Sequence, residues 1–177
     1  MKNILKIVLA LSLVIVTGSC STQNNIPSEK VNVLLQNQEF TFVAERAVPT
    51  NMDVINVMNS LPNSSSARIL NLDYGYTLVI KKEEIVATLP YYGRMFTPSF
   101  DMNKNSYRFT SKDFTINKTA GKKGSSIYTI SLSDQPNIRK MILEVYGNGK
   151  SYLSINSNDR QPISYDGYIM ENEVKKN

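Results

Sequence analysis

The 177-residue chain has no histidine, no tryptophan and a single cysteine, Cys20. Without histidine, Ser-His and Cys-His nucleophile pairs, imidazole bases and the usual zinc sites are all removed together. One thiol forbids an intrachain disulfide. No apolar run approaches the ~20 residues that cross a bilayer; the stretch from Ile7 to Val16 is already interrupted by Ser12. Charge is thin as well: 20 basic and 15 acidic residues give +5, with no basic stripe interleaved with aromatics, so no nucleic-acid partner is expected. Carboxylate chemistry survives these exclusions. Among Asp73, Asp101, Asp113, Asp134, Asp159 and Asp166, two could flank a glycosidic bond. Most of them stand beside Asn, Gly, Ser or Pro, where Asp supports turns. Asn158, Asp159 and Asp166 lack the dense spacing of a calcium loop, so neither a metal nor a cofactor is expected.

What is present begins with an address. Lys2 and Lys6 precede the apolar run, and Thr17, Gly18 and Ser19 are small residues leading to Cys20. This pattern reads as a secretory signal over residues 1–19. Thr17-Gly18-Ser19-Cys20 resembles the lipobox of bacterial lipoproteins, with Thr17 in place of the usual leucine. The resemblance implies that Cys20 is the lipidation site and the first residue of the mature chain. Each buried acyl methylene contributes about 0.8 kcal/mol, and a single chain anchors only marginally, so two or more chains would hold the protein to its membrane. No acidic run follows Cys20, which favours the periplasmic face of the outer membrane within the cell envelope. Removing residues 1–19 leaves 158 residues, enough for one domain, and lowers the charge to +3.

Residues 20–27 are polar and read as a lipidated tether to a domain over 28–170. Ser28 is placed to cap a helix over 29–36, with Val31, Leu34 and Leu35 on one face. The period then changes to two at Phe40, Phe42 and Ala44, in a strand that Pro49 ends. Val54, Val57, Met58 and Leu61 have helical spacing among β-branched neighbours, which leaves strand and helical turn both open. Residues 68–72, 76–80 and 85–89 read as short strands, the last two as a hairpin, and 96–105 as the longest loop. Tyr107, Phe109, Phe114 and Ile116 begin a strand pair; Tyr128, Ile130 and Leu132 mark another strand. Met141, Leu143 and Val145 run up to Gly147-Asn148-Gly149, and Leu153 and Ile155 run back, which is a hairpin. Gly149-Lys150-Ser151 has no phosphate-loop context, because the first glycine of that motif would fall at Glu144. Ile163, Tyr165 and Ile169 form a closing strand with a bulge expected at Asp166-Gly167. A polar tail follows over 171–177. The fold class is therefore mainly β: an antiparallel sandwich or barrel-like sheet of about 8–10 short strands with one short N-terminal helix.

Two groups carry binding chemistry. Tyr91 and Tyr92, followed by Gly93 and Arg94, close a strand after Pro90, where rings and a guanidinium could face a ligand bearing a ring or an anion. The plainer reading is a strand end whose tyrosines cap the core. Arg160, beside Asp159 and near Asp166, could hold an anion or brace the last turn through an ion pair worth about 1 kcal/mol at most if exposed.

Several segments together resemble the family called domain of unknown function 4251, a set of bacterial lipoproteins. They are Phe40-Thr41-Phe42-Val43-Ala44 with Ala47 and Pro49, Leu89-Pro90-Tyr91-Tyr92-Gly93-Arg94, Lys122-Lys123-Gly124, and Asn158-Asp159-Arg160-Gln161-Pro162-Ile163-Ser164-Tyr165-Asp166-Gly167. The resemblance implies a lipid-anchored envelope domain and brings no catalytic or binding residues with it. The expected function is a non-catalytic binding or scaffold module for a small amphiphile, a glycan or an envelope protein. The alternatives are a carboxylate-dependent hydrolase of envelope glycan and a lipid or acyl-chain carrier, since periodicity does not separate a filled core from a hollow one.

Overall fold

A computed structural model describes residues 26–96 and 105–173. The signal segment, Cys20, Asp101 and nearly all of the expected 96–105 loop lie outside the described residues. Helix α1 (Ser28–Asn37) leads into β1 (Phe40–Pro49); α2 (Met52–Ser60) and α3 (Ser66–Leu70) follow, then β2 (Thr77–Ile80), β3 (Ile85–Pro90), β4 (Ser106–Ser111) and β5 (Phe114–Ala120). A 3-10 turn (Lys122–Gly124) precedes β6 (Ser126–Leu132), β7 (Ile138–Val145), β8 (Lys150–Ser157) and β9 (Ile163–Met170). The strands form one antiparallel sheet in the order β4-β3-β2-β1-β9-β8-β7-β6-β5, curled into a nearly closed barrel.

Period-two patterning builds the interior. Ile85, Ala87 and Leu89 on β3, Tyr128 and Ile130 on β6, Met141, Leu143 and Val145 on β7, and Leu153 and Ile155 on β8 all point inward. Phe40, Phe42, Tyr128 and Tyr165 are fully buried beside them, and Phe40 meets Tyr128 edge to face at 5.6 Å. Burying a side chain of this size contributes roughly 1.5–3 kcal/mol. The core cluster runs from Val31 to Ile169, so residues 26–173 contain a complete core of their own. Helix α1 joins it through Val31, Leu34 and Leu35, and the Leu35 carbonyl accepts from the Tyr128 hydroxyl at 3.0 Å and Lys118 Nζ at 3.1 Å.

Several expectations need correcting. Among the described residues the single helix becomes three, with a 3-10 turn. Residues 66–70 are helical because the Ser65 hydroxyl accepts from the Arg68 amide at the N-cap, which the β-rich composition of 68–72 conceals. Residues 52–60 are also helical, started by Asn51, whose side chain accepts from the Asp53 amide. Pro27, not Ser28, occupies the cap of α1. Ile26 packs on the core just ahead of α1. The segment 171–173 is tied down: Asn172 accepts from the Thr41 hydroxyl and donates to the Ile80 carbonyl, and Glu171 pairs with Lys30. The bulge expected on β9 falls on its partner. Ala44 faces Gly167 and Arg46 faces Asp166, leaving Glu45 as the extra residue. Finally, β4 and β5 do not pair with each other, although only Lys112 and Asp113 separate them. Their ladders are to β3 and β6.

Candidate functional site

One end of the barrel gathers all four proposed ligand-binding residues around the loop after β8. Residues 91–96 run alongside residues 159–161: the Phe96 amide donates to the Asp159 carbonyl at 2.8 Å, and the Gln161 amide to the Arg94 carbonyl at 3.0 Å. The Tyr91 hydroxyl lies 3.0 Å from the Arg94 carbonyl and 3.1 Å from that of Gln161, sharing its one proton. Gly93 has to be small there, because a Cβ would stand 2.4 Å from the Tyr91 hydroxyl oxygen. The 91–94 turn is thus a fixed platform.

Arg160 pins the platform from below. Its side chain is only 7% exposed, and its guanidinium carbon stands 5.0 Å from the ring centroids of both Tyr91 and Tyr107. Nε and Nη2 donate to the Asp159 carboxylate, the latter at 2.8 Å, while Nη1 is buried without a partner. Burial opposes the charge on Arg160, but the hydrogen bonds and charge of Asp159 outweigh it, so its pKa is raised and the guanidinium stays charged. Tyr91 and Tyr107 meet edge to face at 5.8 Å, and the Tyr107 hydroxyl is 2.9 Å from that of Ser157. Burial pushes the Tyr107 phenol up to about 12, although Ser157 and Arg160 act the other way. Below them Tyr165, fully buried, donates to the Pro90 carbonyl at 2.6 Å.

Tyr91, Tyr92 and Arg94 line an open groove of about 500 Å³ whose far wall is α2. Asn51, Asp53, Val54, Val57 and Met58 supply that wall; Val57 is 61% exposed. Both walls are moored to one loop. Gln161 Oε1 accepts from Asn51 Nδ2 at 3.2 Å, while the Gln161 backbone holds Tyr91 and Arg94. The Thr50 hydroxyl donates to the Pro162 carbonyl at 2.7 Å, fixing the start of α2 against the same loop. The groove is therefore amphipathic: Val54, Val57 and Met58 of α2 and the two tyrosines line it together with Arg94 and Asp53. It offers stacking, apolar contact and charge recognition.

The structure joins Tyr91 to Arg160 as a brace, and Tyr91 also lines the groove beside Tyr92 and Arg94, which Arg160 does not. Sequence reasoning missed Gln161, Tyr107 and the α2 wall. The Asn51 cap two residues before Asp53 was the available signal for the last of these. The aspartates weighed for carboxylate chemistry are spread out. Asp159 is bound to Arg160. Asp134 accepts from the Ser111 hydroxyl at 2.6 Å and from the Lys112 and Asp113 amides, bonds that hold its carboxyl below the ordinary 3.8 and fasten the β4–β5 corner. No group of three or more acidic or cysteine side chains is placed to hold a metal ion among the described residues.

Residues 23–169 match the model of a family described as Domain of unknown function (DUF4251). Among solved structures, the chain is similar to a DUF4251 family protein from Bacteroides eggerthii DSM 20697 determined at 1.95 Å resolution. That likeness covers 82% of this chain and 87% of that one, at 12% identity and a TM-score of 0.48. None of the curated proteins matches the chain.

Proposed function

The chain belongs to the DUF4251 family, and we propose that it is a non-catalytic, lipid-anchored binding module of the cell envelope that takes its ligand in the groove between α2 and the 91–94 turn. The observation that carries this reading is the shared mooring of the two groove walls on Gln161, which sets the groove width before any ligand arrives. A preformed site avoids the ordering cost that weakens binding. The ligand class follows from the lining: a planar or apolar body to lie between Tyr92 and Val54/Val57, and an anionic group to reach Arg94. The filled interior, with Phe40, Phe42, Tyr128 and Tyr165 fully buried, favours a ligand held at the rim over one enclosed in the barrel. Cys20 would carry the acyl chains that keep the domain at the membrane.

Thermal unfolding of the chain from Ser21 onward, with and without envelope glycans, fatty acids and bile-type amphiphiles, tests the proposal. A ligand at 100 times its Kd adds about 2.7 kcal/mol, or roughly 5 °C or more for a domain of this size. Substituting Tyr92 or Arg94 with alanine should remove that increment; Arg94 is exposed, so its variant keeps the unliganded midpoint, whereas Tyr92 packs against the core and its variant lowers it. Turnover of an envelope glycan that is lost on changing one aspartate to asparagine would replace the proposal with the hydrolase reading.

A further inference from the structure

The chain enters the barrel at one end and builds its groove at the other. Ile26 packs where the β7–β8 turn lies: a Cβ on Gly149 would stand 3.5 Å from Val31 Cγ2 and 3.8 Å from Ile26 Cβ. Lys30 pairs with Glu171, just past the end of β9, at 3.0 Å. From there α1 closes that end of the barrel, with Val31, Leu34 and Leu35 buried and the Leu35 carbonyl taken up by Tyr128 and Lys118. Strands β8 and β9 both run from this end to the loop that holds the groove. β8 stops at Ser157, β9 starts at Ile163, and Gln161 and Pro162 between them hold Asn51 and Thr50.

Two lengths decide what this layout allows. The nine steps from Gly149 to Asn158 along β8, at about 3.3 Å each, come to roughly 30 Å. With strands tilted about 35–45°, as in closed barrels, roughly 21–25 Å of that lies along the axis. The six steps from Cys20 to Ile26 reach about 20–22 Å at full extension. To bring the groove to the lipid headgroups, that tether would have to lie fully stretched along the outside of the barrel, with nothing left to round its edge.

We propose that the α1 end of the barrel faces the bilayer that holds Cys20 and that the groove opens away from it, so that its ligand arrives from the aqueous side. The orientation depends on the lipid anchor proposed above for Cys20. Charge does not set it, because the pairs Lys30–Glu171, Lys81–Glu84 and Lys82–Glu39 neutralise one another around α1. Apolar insertion does not set it either, since Val33 is the one large apolar side chain that α1 exposes. The short tether alone decides which end is near. The anchoring bilayer is then not the source of the ligand.

Amide NMR of the lipidated chain, purified from membranes and placed in nanodiscs that carry a gadolinium-chelating lipid, tests this orientation. The signals of Ser28, Asn148 and Lys150 should be lost and those of Tyr92 and Arg94 kept, in neutral and anionic bilayers alike. Inserting about 15 Gly/Ser residues between Asn25 and Ile26 raises the reach to roughly 70 Å and should abolish the difference. A parent in which Tyr92 and Arg94 lose signal as fully as Ser28 overturns the orientation and leaves the anchor and the groove standing. A difference that survives the long tether overturns the tether as its cause. The mass of the same preparation separates the two readings: a Cys20 without acyl chains removes the anchor, and the orientation with it.

Discussion

Replacing Arg160 with alanine separates a brace from a ligand contact. The side chain is 7% exposed and its partner Asp159 20% exposed, so removing the guanidinium leaves a largely buried carboxylate without its counter-charge. Breaking a buried pair in this way costs about 3–5 kcal/mol. The residual exposure of Asp159, which lets water reach it, places the expected loss near the low end, about 3–4 kcal/mol. That figure includes the two ring contacts at 5.0 Å, each worth about 0.5–2 kcal/mol. For a domain of this size the midpoint should fall by roughly 6–16 °C. Urea unfolding of the parent, Arg160→Ala, Asp159→Asn and the double variant completes a cycle that isolates the pair. Arg160→Lys should recover less than half of the loss, because a single ammonium does not fork onto a carboxylate. A loss under about 1 kcal/mol for Arg160→Ala, the value of an exposed ion pair, would refute the bracing role and return Arg160 to the candidate ligand contacts.

Gly167→Ala should destabilise the fold by about 3 kcal/mol or more, read by urea unfolding, because its Cβ would stand 2.0 Å from the Val43 carbonyl oxygen on the neighbouring strand. At high pH, Tyr107 and Tyr128, pushed by burial from 10.0 to about 12, keep protons that the unfolded chain releases. Stability is then intact below pH 10 and falls between pH 10 and 12, which ultraviolet difference titration beside circular dichroism checks. At low pH the depressed Asp134 carboxyl contributes stability that is present above its ordinary 3.8 and is lost as pH falls through its lower folded value. Asp134→Asn should flatten that part of the acid unfolding profile.

The strands were legible where inward and outward residues alternate against a clear turn. Met141, Leu143 and Val145 with Gly147-Asn148-Gly149 needed only local rules. Helix α1 was likewise visible in Val31, Leu34 and Leu35. Helix α3 was not, because five residues hold little more than one turn and its stability comes from the Ser65 cap and the packing of Leu70. The order of the sheet was also hidden, since it is set by which edges the barrel brings together, and β4 and β5 looked like a hairpin. At the site, local chemistry marked Tyr91, Tyr92, Arg94 and Arg160 as notable but could not divide them. The division depends on Tyr107 arriving from β4 beside Arg160, and on Gln161 reaching Asn51 across 110 positions of sequence.

The most direct test of the groove is the ligand-induced thermal shift, measured on the parent and on Tyr92→Ala and Arg94→Ala. A rise of roughly 5 °C or more in the parent with an anionic amphiphile or glycan, lost in both variants when each is compared with its own unliganded midpoint, is the expected result. A rise that survives both substitutions, or no rise with any ligand of the panel, would contradict a binding site between α2 and the 91–94 turn.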